Sequence, residues 1–125
     1  MSKLENEIKQ NVLDFISDLK DNVFCENDEQ GEFMLVEFFF TKMHAGRVTQ
    51  HIIDHVLPHK LIIKKRNLHF FIENRKIFSG LPEDRIDYYG EILGGGKVVD
   101  KENMEYIWEY FDIMIKLTEK YKKDK

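Results

Sequence analysis

The chain is 125 residues with 42% apolar and 34% charged side chains, enough for one domain with one core and little room for a second. A formal net charge of −4 argues against a wholly basic nucleic-acid coat protein. The single cysteine, Cys25, rules out an internal disulfide framework. No apolar run approaches the roughly 18 residues of a membrane span, and Met1-Ser2-Lys3-Leu4-Glu5 turns acidic without a signal-peptide core. These features predict a soluble intracellular domain. Two prolines and one alanine, beside fifteen lysines and ten phenylalanines, favour long helices and also carry the mark of AT-rich codons.

Residues 1–24 predict an amphipathic helix. Leu4, Ile8, Val12, Phe15, Leu19 and Val23 recur every three or four positions, and Ser2 with Glu5 makes a capping-box pattern. Residues Cys25 to Gly31 show no apolar period and predict a loop. Phe33 to Phe40 suits either a buried strand or a helix, but a strand needs partners, and Leu61-Ile62-Ile63 and Val98-Val99 are too short to supply them. A central helix over 32–44 is therefore expected, apolar nearly all round because neighbours cover it. Ala45-Gly46 would break it.

A further helix is expected from Val48 to Leu57, ended by Pro58. Spacing of Leu61, Ile62, Leu68, Phe71, Ile72 and Phe78 predicts helix from His59 to Ser79, with Gly80 as its stop. Leu81-Pro82-Glu83-Asp84 restarts a short helix with Ile86, Tyr89 and Leu93 on its apolar side. Gly94-Gly95-Gly96-Lys97 reads as a connector. Asp100 caps a last helix, Lys101 to about Lys122, with Met104, Ile107, Trp108, Phe111, Met114, Ile115 and Tyr121 on one broad face. The expectation is an all-α, single-domain bundle of five to six helices, grouped as 1–24, 32–80 and 82–124.

Charge is unevenly placed: residues 1–40 carry −7, residues 41–80 carry +6 and residues 81–125 carry −3. The basic excess sits on Lys60, Lys64, Lys65, Arg66, Arg75 and Lys76. Packing of this segment beside the acidic first helix is the default reading. Nucleic-acid binding through residues 59–76, with Phe70 and Phe71 interleaved, is the alternative.

No constellation of residues carries a catalytic argument. His51, His55 and His59 are spaced by four, with His44 and His69 nearby, and a pair at i and i+4 can ligate zinc. Pro58 turns the chain before His59, however, and Ile52 stands where a zinc protease needs glutamate. Ordinary histidines are the default. The glycine run lacks the spacing, the following Ser or Thr and the preceding strand of a phosphate loop. Cys25 lies among acids that disfavour its thiolate. No serine lies in a nucleophile elbow, and Glu83, Asp84, Asp87 and Glu91 are explained by dipole and solvation. No cofactor is implied; a metal held jointly by the histidines of two chains is the alternative left open.

The aromatic stock of the last helix is more informative. Tyr106, Trp108, Tyr110 and Phe111 cannot all share one face, so some rings look toward neighbouring helices and others toward solvent or a partner. Core packing is the default, and a partner-binding patch is the best functional reading, since such residues anchor protein interfaces. A non-enzymatic interaction protein is the leading expectation, its partner a second copy or another protein. A hydrolase or transferase with a site built from distant residues ranks last.

Three strings carry a resemblance: His55-Val56-Leu57-Pro58-His59-Lys60, Ile77-Phe78-Ser79-Gly80-Leu81-Pro82-Glu83-Asp84-Arg85, and Ile107-Trp108-Glu109-Tyr110-Phe111-Asp112. Over residues 33–122 the chain resembles small helical proteins encoded by large DNA viruses of algae and protists. That resemblance implies a viral protein of the infected host's cytoplasm or of the virion. It implies no catalytic residue or cofactor.

Overall fold

The structure is a computed structural model that describes residues 3–74, 81–95 and 99–124. These form an all-α bundle, as expected, with no strand among the described residues. Helix α1 (Lys3–Asn22) is its axle and packs on α2 (Asn27–Lys42), α3 (Ala45–His55) and α7 (Lys101–Lys123). Between α3 and α7 lie a 3-10 turn (Leu57–His59), α4 (Lys60–Lys64), α5 (His69–Glu73) and α6 (Glu83–Gly95). The Ser2 cap, the Gly80 stop, Gly96-Lys97 of the connector, and Arg75 and Lys76 lie outside the described residues.

The first and last helices form as their periodicity requires. Ile8, Val12, Phe15, Ile16 and Leu19 are buried along α1, and Met104, Ile107, Trp108, Phe111, Met114 and Ile115 along α7. They meet through the Phe15 and Phe111 rings, whose centroids are 5.2 Å apart and edge-on, the arrangement the ring quadrupoles favour. Asp100 caps α7 by accepting the Asn103 N–H at 2.8 Å. Two buried hydroxyls are satisfied within their own helices, Thr49 on the Ala45 carbonyl and Thr118 on that of Met114.

Three local expectations need correction. The segment read as a loop is the first turn of α2, which starts at Asn27: the Glu29 carboxylate accepts the Glu26 backbone N–H at 3.3 Å, and acids favour a helix N-terminus. Ala45-Gly46 does not merely break a helix; it begins α3, where the His44 ring accepts the Gly46 N–H at 3.1 Å. The stretch from His59 is not one helix. It stops at Lys64 in a Schellman turn, the Arg66 N–H bonding to the Ile63 carbonyl at 2.9 Å and the Asn67 N–H to that of Ile62 at 3.2 Å. Arg66 takes the left-handed position, φ 56°, usually given to glycine.

Of the glycine run read as a connector, Gly94 and Gly95 belong to α6. Gly94 is where α6 approaches α5. A Cβ there would stand 2.4 Å from Ile72 Cγ1 and 3.2 Å from the Leu68 carbonyl oxygen, so the contact requires glycine.

Candidate interaction surface

Helix α2 is apolar on both sides, but only one side is covered. Phe33, Val36 and Phe40 point into the core, spaced by three and four residues. Phe33 stacks on Phe24 at 5.0 Å between centroids and meets the buried Tyr89 ring edge-on at 4.8 Å. The opposite side carries Met34, Leu35, Phe38 and Phe39, exposed by 60%, 58%, 60% and 40%. Cover by neighbours all round was expected; the bundle instead leaves this face open. One helix has more perimeter than α1 and its neighbours can occupy.

Polar ties fix the rotation of α2 about its axis. Arg85 on α6 donates two hydrogen bonds of 2.6 Å to the Glu32 carboxylate, and the Tyr89 hydroxyl donates a third at 2.7 Å. The Arg85 hydrogen bonds hold Glu32 below the usual carboxylate range against the opposing effect of its burial, with Tyr89 assisting. Burial, then Glu32, pushes the Tyr89 hydroxyl up. Arg85 also covers the Tyr88 ring at 4.5 Å. On the other flank Lys20 of α1 pairs with Glu37 at 3.3 Å. At the helix end the Lys9 ammonium donates to the Thr41 and Met43 carbonyls, both at 2.8 Å, completing the last turn of α2 with a cation where the helix dipole is negative. With these ties in place, Leu35 and Phe38 have nowhere to point but outward.

The open face continues into a groove of about 490 Å³ at the α2–α3 corner, lined by Leu35, Phe38, Phe39, Lys42, Met43 and Arg47. Its rim is basic, and Lys42 lies 5.4 Å from the Phe38 ring centroid. At the far end of α2, Glu26 and Asp28 are exposed, Asp28 with Arg85 of its own chain at 4.0 Å. The surface is thus an apolar strip, acidic at one end and basic at the other.

The rings singled out on the last helix are placed differently. Trp108 and Phe111 are 3% and 1% exposed, inside an aromatic cluster with Phe70 and Phe71. Tyr110 is half-buried against Phe15, and only Tyr106 is open. They form no continuous exposed patch. The outer side of α7 carries Glu105, Glu109 and Asp112 between Tyr106 and Ile113.

Residues 60–66 of the basic segment pack against α7, not against the first helix. Arg66 makes a two-pronged pair with Asp112, at 2.8 and 2.7 Å, and lies over the Trp108 ring; Lys60 pairs with Glu119 at 2.6 Å. Lys64 and Lys65 are exposed. Two of the four described cations are therefore matched by carboxylates of the same chain, and Phe70 and Phe71 are buried rather than offered to bases.

His51 and His55 share a side of α3 with ring centroids 4.6 Å apart, and His51 lines a small apolar cavity with Phe40, Ile52 and Met114. Among the described residues no three His, Cys, Asp or Glu side chains converge as a metal site. The Cys25 thiol is exposed and donates to the Asp21 carbonyl at 3.2 Å. No helix among the described residues is long and apolar enough to cross a membrane.

The open side of α2 was the residue set that pattern reading missed. A signal existed: the buried triplet 33, 36, 40 and the exposed set 34, 35, 38 interleave, and a helix apolar on every side needs more cover than a domain of this size supplies. No protein-family model matches the chain, and neither a curated protein nor a solved structure shows significant similarity to it.

Proposed function

We propose that this chain is a protein-interaction module whose docking surface is the outer side of α2. The observation that carries the reading is the run of Met34, Leu35, Phe38 and Phe39, four large apolar side chains exposed together on one helix and leading into a groove. Single exposed apolar residues are ordinary, but contiguous ones mark sites of association. The occupant buries the apolar strip, and the charged ends set its direction, since complementary charge governs orientation more than affinity. The function is non-enzymatic. Its surface is a different one from the Tyr106, Trp108, Tyr110 and Phe111 set expected from the sequence.

A photo-reactive phenylalanine analogue tests the surface directly when placed at position 38 and, in a separate variant, at Tyr106. In cells that naturally make the protein, illumination is expected to give a discrete adduct from position 38 that Leu35→Ser removes, and none from position 106. Adducts from position 106 alone would move the docking surface to α7 and refute the assignment.

A further inference from the structure

The exposed strip of α2 is complementary to itself. Asp28, Gly31, Leu35, Phe38 and Lys42 follow at intervals of three, four, three and four residues and so line one side of the helix. Leu35 is the midpoint. At a rise of about 1.5 Å per residue, Asp28 and Lys42 lie about 10.5 Å to either side of it. Gly31 lies about 6 Å to one side and Phe38 about 4.5 Å to the other.

A two-fold axis beside Leu35 reverses the strip onto itself. Each Asp28 then faces a Lys42, and each Phe38 ring lies over a Gly31. Gly31 has no role inside its own chain that demands glycine: a Cβ there would meet nothing within 4 Å, and glycine weakens a helix interior. Opposite Phe38 its missing side chain becomes the space the ring enters. A parallel arrangement would set Asp28 on Asp28 and Lys42 on Lys42, and charge repulsion opposes it.

We infer that the occupant of the docking surface is a second copy of this chain, held in a two-fold, antiparallel α2–α2 dimer. The inference rests on the reading of α2 as the docking surface and names what fills it. Such an interface is isologous: the same patch serves both partners, and its ends must carry opposite charge, as they do here. At their observed exposures the four apolar side chains offer roughly 400 Å² per copy, about half the side of a standard interface. The charged ends and the start of α3 supply its rim. The dimer is therefore expected to be reversible with concentration.

Sedimentation equilibrium over roughly 1 to 300 µM measures the association, and charge reversal identifies its geometry. Asp28→Lys and Lys42→Asp, each folded by circular dichroism, are each expected to weaken the dimer about tenfold or more, because like charges then meet at both ends. Mixed in equal amounts, the two variants restore every pairing between the chains, though not the Asp28–Arg85 contact within one, and are expected to form a heterodimer far stronger than either variant alone. Gly31→Leu fills the hollow and is expected to abolish association while the chain stays folded.

A wild-type chain that is monomeric throughout the range overturns the inference. So does a dimer indifferent to both reversals and to Gly31→Leu. A monomeric chain whose position-38 adduct differs from twice the 15.0 kDa chain mass removes self-pairing and leaves the docking surface standing. A chain with neither dimer nor adduct removes both.

Discussion

Phe33 and Phe38 are the same residue on the same helix, about 140° apart around its axis, and the orientation of α2 predicts opposite consequences for truncating them. Phe33 is fully buried between Phe24 and Tyr89. Phe33→Ala removes a core ring and leaves a cavity, about 3 to 5 kcal/mol, and two lost ring contacts put it in the upper half of that range. Phe38 is 60% exposed, so its truncation returns to water only the covered minority of the side chain. At about 25 cal/mol per Å² over roughly 70 Å² that is under 2 kcal/mol, and alanine's higher helix propensity reduces it to about 1.

In a domain of this size 1 kcal/mol corresponds to about 3 to 5 °C in Tm. Phe33→Ala should then lower Tm by more than 10 °C and Phe38→Ala by less than 5 °C. Trp108, the single tryptophan and 3% exposed, reports unfolding by fluorescence in urea or on heating. Two protein concentrations tenfold apart separate folding from association, since a dimer stabilises its subunits by mass action. A loss at position 38 equal to that at 33, at the lower concentration, would mean that α2 is rotated and that the proposed surface lies inside the core.

Acid titration tests the Glu32–Arg85 tie. Because Glu32 titrates below its unfolded value, the stability it contributes is complete above about pH 5 and is lost as pH falls through its folded pKa; Glu32→Gln should flatten this acid limb of an unfolding series. Tyr89 acts at the other end: its raised pKa means stability lost as pH climbs above about 10, a limb to which the raised Tyr88 and Tyr110 also contribute and which Tyr89→Phe should therefore make shallower. Gly94→Ala forces a methyl into Ile72 and should cost about 1 to 2 kcal/mol net of the helix gain, whereas Gly95→Ala, with nothing within 4 Å of its Cβ, should be neutral or stabilising. Arg66→Ala loses the Asp112 pair and the Trp108 contact yet keeps the left-handed backbone; Arg66→Gly relieves that backbone and should be more stable by about 1 kcal/mol in chemical denaturation.

What the chain revealed before its structure follows from how local each determinant is. The stripes of α1 and α7 are written in their own residues, and Asp100 needs only the N–H three positions on. Glu26 and Glu29 also act locally, but an acid-rich stretch without an apolar period resembles a solvated loop as much as a first turn. The stop at Arg66 was harder, because no glycine or proline stands there. The left-handed turn is held by Asp112 and Trp108, 46 and 42 residues away in sequence. The burial of Trp108 and Phe111 and the exposure of Phe38 were beyond pattern altogether. A helix apolar on several sides does not say which side its neighbours will take, and for α2 that choice is made by Arg85, Lys20 and Lys9 on other helices.

The outer faces of two helices of this chain, compared with each other, bear on whether the α2 strip is incidental. Along α7, Glu105, Glu109, Asp112, Lys116 and Glu119 are exposed, the charged side that a helix needs when only its inner stripe is packed. Helix α2 has the same inner packing requirement, met by Phe33, Val36 and Phe40, and polar residues at 34, 35 and 38 would leave that packing intact. Those positions instead hold methionine, leucine and phenylalanine, and position 31 holds a glycine that weakens the isolated helix by about 0.5 to 1 kcal/mol. Neither choice is explained by the stability of the chain alone: the glycine lowers it, and Phe38 adds only about 1 kcal/mol. Both become favourable when a second surface covers the strip, because burial in the complex removes the apolar area from water and a ring fills the space over Gly31. The stability of a Gly31→Ala variant and its self-association should therefore move in opposite directions: the monomer melts higher, and the dimer forms less readily. If both rise together, the glycine serves neither purpose argued for it, and the complementarity of the α2 strip is coincidental.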